Sequence, residues 1–376
     1  MFSSQTSDLH WRIGFEIELM APKGASRQNL AEAIAKSFGG TVRRYFHLQS
    51  EFSKVPESPV FDNLTLGFEV VDAEGQWIAK CVDDLTLQDD LDETKTPKLG
   101  WYRIVSDDAR LLELVRCQAN ASAPISEVLN PITHLFGTTI LIGAGLIDAS
   151  NMFRVTDEMG RSIAIAAPLP GERERPCELI FPPIDSNHFY RLDSILSIAR
   201  SLGFTAPIEG AIHLHFDATP LYSARVFANL VNLLWTHGNN LKRLVETNPQ
   251  CRRLGTWSNS LIELVNQPEF SDLSWTEAQT RLAQVKLTKY CDFNLRNIVH
   301  KVPNKETFEA RIFPVWLESQ TIIEAAGLIE AILQQAIASD RINHKSPVDW
   351  NQMSLFLDEL PISEWFRDIC RQKKDY

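Results

Sequence analysis

The stretch Gly14-Phe15-Glu16-Ile17-Glu18-Leu19 places two glutamates at alternate positions between apolar neighbours. Side chains alternate across a β-strand, so Glu16 and Glu18 share one face, spaced by roughly 6.5 Å, and Phe15, Ile17 and Leu19 share the other. The same inverted pattern recurs twice. Ile212-His213-Leu214-His215-Phe216 sets two histidines between three apolar residues, and Phe308-Glu309-Ala310-Arg311-Ile312 does so with a glutamate and an arginine. One such strand alone is usually a solvated face or an exposed ion pair. Three together predict a sheet whose apolar face packs on helices and whose polar face is a floor for chemistry.

Outward from these strands, helices and strands interleave. Ser26 reads as the N-cap of a helix reaching about Phe38, closed by Gly39-Gly40. Thr65 to Val71 and Trp77 to Val82 read as strands joined by a turn at Asp72 to Gly75, and Phe153 to Val155 and Ser162 to Ala166 as a second pair. Glu178 to Phe181 reads as a short strand. Helical patterns cover Asp107 to Ala119, His188 to Leu202, Tyr222 to Glu246 and Ser319 to Ala338, and Leu87 to Gly100 reads as an acidic loop. Single strands scattered among helices, with two hairpins, predict an α+β fold. A catalytic domain is expected over 1–318, with an insertion at about 88–170, and a helical C-terminal extension over 319–376.

Composition narrows the function. Of 376 residues 44% are hydrophobic and 23% charged, as in an ordinary globular protein. A net charge of −11 disfavours polyanion binding by counterion release, so nucleic acid is not an expected partner. Six scattered cysteines without a CxxC pair predict reduced thiols. No signal-type N-terminus or run of about 18 apolar residues is visible, so the expectation is a cytoplasmic protein with no membrane partner.

The residue types carry their own chemistry. Glutamates side by side repel unless a cation lies between them, and hard divalent ions prefer carboxylate oxygens completed by substrate phosphates. Arg311 beside them supplies the planar fork that holds two oxygens of an anion. His213, His215 and Glu309 also form a set that Zn²⁺ accepts in hydrolases, although the further carboxylates favour Mg²⁺ or Mn²⁺. Trp235, Trp257 and Trp275 read as packing residues.

In these strands the chain resembles the predicted amidoligases, relatives of glutamate–cysteine ligase and glutamine synthetase. Gly14 to Leu19 is similar to the family's opening GxExE strand. Trp77 to Leu87 resembles its Trp-containing strand and Asp-x-Ser-Leu turn, with Asp84 and Thr86 in the Asp and Ser places. Glu178-Leu-Ile-Phe-Pro resembles Glu-Leu-x-Ser-Pro, with Phe181 where the family has Ser. His213-Leu-His215, Lys289-Tyr290 with Asn294-Leu295, and Thr307-x-Glu309-x-Arg311 match in order. The separation of Thr86 from Glu178 exceeds the family's pattern, which motivates the expected insertion.

The resemblance implies a glutamine-synthetase-like curved antiparallel sheet with flanking helices, holding ATP and Mg²⁺. The implied activity is an ATP-dependent carboxylate–amine ligase working through an acyl phosphate, on an amino acid, peptide or protein. Under it, Glu16, His213 and Glu309 surround the phosphate-side metal, and Glu18 and Glu178 hold a metal nearer the acceptor. Arg311 stabilises the transferring phosphoryl group, and His215 is a candidate base. Trp77, Asp84, Lys289 and Asn294 lie by nucleotide or substrate. A phosphagen-kinase-like phosphotransferase and a non-catalytic binding protein on the same fold are the alternatives.

Overall fold

A computed structural model describes residues 9–52, 60–84, 87, 89–92, 94–143, 152–300, 306–343 and 346–373. In chain order the first half runs β1 (Ile13–Met20), α1 (Arg27–Ser37), β2 (Thr41–Phe52), β3 (Val60–Val71), β4 (Trp77–Val82), β5 (Pro97–Val105), α2 (Ala109–Gln118), α3 (Asn130–Phe136), β6 (Ile140–Gly143), β7 (Met152–Thr156), β8 (Ser162–Pro170) and β9 (Pro176–Ile180). The second half runs α4 (His188–Ser201), β10 (Ala211–Asp217), α5 (Ala224–Leu244), α6 (Asn259–Val265), α7 (Trp275–Leu282), β11 (Phe293–Asn294), α8 (Arg296–His300), β12 (Thr307–Pro314), α9 (Ser319–Ala338), α10 (Trp350–Glu359) and α11 (Glu364–Gln372). Every strand pair described is antiparallel, so the mixed helix and antiparallel sheet that the patterning predicts is present. The chain divides into two compact units, and the boundary cuts β1 between Ile17 and Glu18.

The first unit comprises 1–17, 183–197 and 210–376. Its strands lie in the order β11-β12-β10-β1. Phe15, Ile17, Leu214, Phe216, Phe308 and Ile312 are fully buried, because strand alternation turns them to the side away from the glutamates and histidines. α5 and α9 pack against each other in this unit. By length and composition α9 passes for a membrane span, and 61% of its apolar stretch is buried inside the protein. Its buried Glu330 accepts from the backbone nitrogens of His10 at 3.1 Å and Trp11 at 3.2 Å, which ties the start of the described chain to the helix.

The second unit comprises 18–182 and 198–209, with strand order β9-β4-β3-β5-β8-β7-β6 and β2 paired along the whole of β3. One edge of β3 is shared: β4 takes Phe68 to Val71 and β5 takes Asn63 to Thr65. α2 and α3 cover a core of Phe46, Leu64, Leu66, Tyr102, Ile104 and Val155, so the segment after Gly100 extends the sheet and adds its own apolar layer. The acidic stretch read as a loop up to Gly100 ends in β5, which begins at Pro97 and pairs with β8. β2, which the patterning does not single out, is paired residue by residue with β3 from Thr41↔Val71 to Phe52↔Val60.

Candidate active site

Three strands of the first unit build the cluster. In the antiparallel register Glu16 lies opposite His213, and His215 lies opposite Glu309. Directly opposed residues share a face, so the two motifs on β1 and β10 and the one on β12 present their polar side chains together. β10 and β12 do not pair in even step: Leu214 pairs with Ala310, yet Ile212 pairs with Phe313. Between those pairs β12 contributes Arg311 and Ile312 against His213 alone. This is a β-bulge, a device that re-aims a side chain beside functional sites, and it seats Arg311.

The distances are those of one interacting group. A ring nitrogen of His213 lies 3.3 Å from Glu16 Oε2 and 3.7 Å from Glu309 Oε1. His215 Nε2 lies 3.2 Å from the same Glu16 oxygen and 3.9 Å from Glu309 Oε1, while its Nδ1 meets Thr307 Oγ1 at 3.2 Å. Arg311 donates to Glu309 Oε1, and Asn294 Nδ2 donates to Glu309 Oε2 at 2.7 Å. Glu309, Arg311, His213 and Asn294 are buried; Glu16 and His215 are half-buried.

Charge follows from this packing. Burial works to raise the Glu309 carboxyl, but Arg311 first, then His215 and His213, hold it down at about 2. Glu16 is likewise held well below the usual carboxylate range, its burial outweighed by the two histidines. Burial and then the Arg311 charge push the His213 ring below its ordinary value, against the pull of both glutamates. At neutral pH the cluster therefore holds two ionised glutamates and a neutral His213 ring. Glu16, His215 and Glu309 each offer a ligand atom, all within 4.8 Å of one another, so they could hold a single cation. Oxygen-rich ligation with one imidazole suits Mg²⁺ or Mn²⁺.

Six of the residues singled out in the sequence, Glu16, His213, His215, Asn294, Glu309 and Arg311, are thus brought together. Lys289 lies in the turn ahead of β11, its Nζ 5.2 Å from the Tyr290 ring centre. Trp77, Asp84, Glu178 and Glu18 belong to the second unit. Glu178 is half-buried opposite Val82, and Glu18 is buried on β1. The Trp77 ring lies 4.5 Å from Lys80 Nζ. Asp84 is buried at the end of β4, and its carbonyl accepts from Arg173. Thr86 lies outside the described residues.

Several supporting residues escape a reading by motif. Asp292, just ahead of β11, accepts from Lys242 Nζ at 3.1 Å and from Gly255 N at 3.1 Å, and its carbonyl takes the Arg311 backbone N–H at 3.0 Å. Thr307, by contrast, belongs to the Thr-x-Glu-x-Arg motif, two residues before Glu309 on the same strand face. In the second unit the buried Arg27 donates to the carbonyls of Leu66 at 3.2 Å and Arg173 at 3.1 Å, with its guanidinium 4.3 Å from the Trp101 ring centre. Buried Asp83 lies 3.2 Å from Arg173 Nε and 3.9 Å from Arg27 NH1.

With this geometry in place, comparison with known proteins gives one result. A family model described as "Putative amidoligase enzyme" matches residues 9–333. The chain belongs to the amidoligase family. The matched span takes in every strand of the amidoligase cluster, from Glu16 to Arg311, and the family's description makes the chain a ligase with a carboxylate and an amine as its general substrates. No curated protein and no solved structure matches the chain.

Proposed function

We propose that this amidoligase joins a carboxylate to an amine at the expense of ATP, through an acyl phosphate, on a glutamine-synthetase-like sheet. The observation that carries the proposal is the pair of ionised glutamates within reach of one cation, beside an arginine seated at a bulge. A carboxylate resists amines because its leaving group is oxide. Transfer of the γ-phosphoryl group to a carboxylate oxygen releases ADP and gives a mixed anhydride. The amine nitrogen then attacks the carbonyl carbon, inorganic phosphate leaves and the nitrogen gives up a proton.

The protein's part is positioning and charge neutralisation. Glu16, Glu309 and the His213 ring would hold Mg²⁺ or Mn²⁺, which would neutralise and template the phosphates when bound. Glu18 and Glu178 are assigned to a further cation by resemblance to the family. Arg311 supplies the planar donor pair to the equatorial oxygens of the group in transfer. His215, tied to Thr307 and to Glu16, is the residue best placed to take the amine proton. Trp77, Asp84, Lys289 and Asn294 are assigned to nucleotide or substrate contacts, Asn294 also fixing the Glu309 carboxylate. Incubation with ATP, Mg²⁺ and a metabolite extract tests this. Mass spectrometry should find an amide product formed with inorganic phosphate; a stable phosphorylated amine or guanidine instead would replace the ligase by a phosphotransferase.

A further inference from the structure

A second polar sheet face exists in the second unit. Register places Tyr45 opposite Gly67, Gln49 opposite Asn63, and Glu69 opposite both Arg43 of β2 and Lys80 of β4. Thr65 shares this face two residues from Gly67. The reverse face is apolar and belongs to the core described above, so these polar residues were not placed here to fill it.

Three atoms on this face are buried and find no hydrogen-bond partner among the described residues: Tyr45 Oη, Thr65 Oγ1 and Gln49 Oε1. Buried polar groups are almost always paired, so three on one face call for an explanation. Their chemistry is complementary. The two hydroxyls can donate. The Gln49 amide nitrogen is already given to the Asp83 carbonyl, which leaves its oxygen to accept. Burial, and then the negative charges around it, Glu69 and Glu178 among them, raise Tyr45 well above the usual phenol range, so it stays a donor. Gly67 makes the arrangement fit: a Cβ there would come within 2.8 Å of Tyr45 Cε1, so only glycine lets the ring lie across β3.

The rim is charged in both senses. Lys80 Nζ lies 3.2 Å from Glu69 Oε1, each side chain about a quarter exposed at 27% and 26%, and 4.5 Å from the Trp77 ring centre. A bare anion at this face would meet Glu69; a bare cation would meet Lys80. A ligand bearing both charges, with an N–H to give and oxygens to receive, meets neither penalty. We propose that this face binds a small zwitterion of α-amino-acid type, its ammonium toward Gln49 and Glu69 and its carboxylate toward Tyr45, Thr65 and Lys80. That the bound molecule is a substrate rests on the ligase reading above; the binding itself does not.

The test is calorimetry and thermal shift on the full chain, without ATP, against each L-amino acid in turn. The matching decarboxylated amines and N-acetylated acids serve as controls. Expected is saturable binding of one or more amino acids, absent with both controls, and weakened at least tenfold by Thr65→Val and by Tyr45→Phe. Thr65→Ser, which keeps the hydroxyl, should restore it. If a valine variant does not fold, Tyr45→Phe alone decides. Binding by no amino acid, or binding that both variants leave intact, overturns the proposal. Amino-acid binding without ATP-dependent phosphate release would sink the ligase reading and leave this one standing; phosphate release without amino-acid binding would do the reverse.

Discussion

Arg311→Lys should separate chemistry from stability. Arg311 and Glu309 are nearly closed to solvent, with side chains 9% and 5% exposed, and the guanidinium donates to Glu309 Oε1. Glu309 is drawn from 4.5 to about 2 by Arg311 first and the histidines after it, a total of roughly 3 kcal/mol at 1.36 kcal/mol per unit. Lysine keeps the charge and so most of that interaction. A loss of about 1 kcal/mol would be the expected stability cost, a fall in Tm of roughly 1–2 °C for a chain of 376 residues. Lysine does not keep the planar fork. If the fork acts in the transition state, turnover should fall about a hundred- to a thousandfold, equivalent to about 2.7–4 kcal/mol, while ATP affinity changes little. Arg311→Met is the comparator. It strips a buried carboxylate of its partner and should cost about 3–5 kcal/mol of stability outright. Phosphate release, ATP calorimetry and melting temperature on both variants decide the matter. Near-normal turnover in Arg311→Lys, with a large loss of Tm, would make Arg311 a structural partner of Glu309 and nothing more.

Three further outcomes follow from the same contacts. Because the Glu309 pKa is depressed when folded, its stabilisation is present above the unfolded value and is lost as pH falls from about 4.5 through about 2; Glu309→Gln should flatten that part of a denaturation-versus-pH curve by up to roughly 3 kcal/mol. Glu16→Gln should remove most of the gain in ATP affinity that Mg²⁺ gives in calorimetry, since one of two ionised oxygen donors is gone. Arg27→Met should lower the urea midpoint by the equivalent of about 3–5 kcal/mol, because Asp83 and two backbone carbonyls lose a buried donor.

What the sequence discloses and what it hides divide along local and non-local lines. The alternation in Gly14 to Leu19, Ile212 to Phe216 and Phe308 to Ile312 is local, and it foretells both the strands and the face their polar residues share. α9 follows from its apolar pattern and runs over Ser319–Ala338, as read. β2 is less visible: Arg44 interrupts the apolar positions of its core face, where its side chain stays exposed with the guanidinium 5.7 Å from the Phe68 ring centre. The same strand and β3 repeat the inverted pattern, with Asn63, Thr65, Gly67 and Glu69 alternating with Leu64, Leu66, Phe68 and Val70. β5 hides behind Pro97 and Gly100, which read as loop residues, and it exists through pairing with β3 and β8. The bulge at Arg311 cannot be read from β12 at all, because it is a mismatch of two strands far apart in the chain.

Charge balance gives the cluster an order of events. With His213 held neutral by burial and by the Arg311 charge, Glu16 and Glu309 concentrate negative charge in a largely buried place, offset there by Arg311 and His215. Asp292 does not add to it, since Lys242 and the Gly255 N–H hold that carboxylate. A triphosphate approaching the cluster alone would meet two ionised glutamates, and Arg311 could answer only one of them because it already serves Glu309. A divalent cation between the two glutamates would offset their charge and offer the phosphates a positive centre to meet. Under the proposed function the cation would therefore arrive before the nucleotide or with it. Apparent ATP affinity should rise with Mg²⁺ concentration and level off once the cation seat is filled, rather than falling as added ions screen the phosphates. Glu16→Gln should lower the level reached and shift the rise to higher Mg²⁺. An ATP affinity already at its full value in chelator would show that Arg311 and the histidines answer the glutamates by themselves, and the cation would then have no place in nucleotide recruitment.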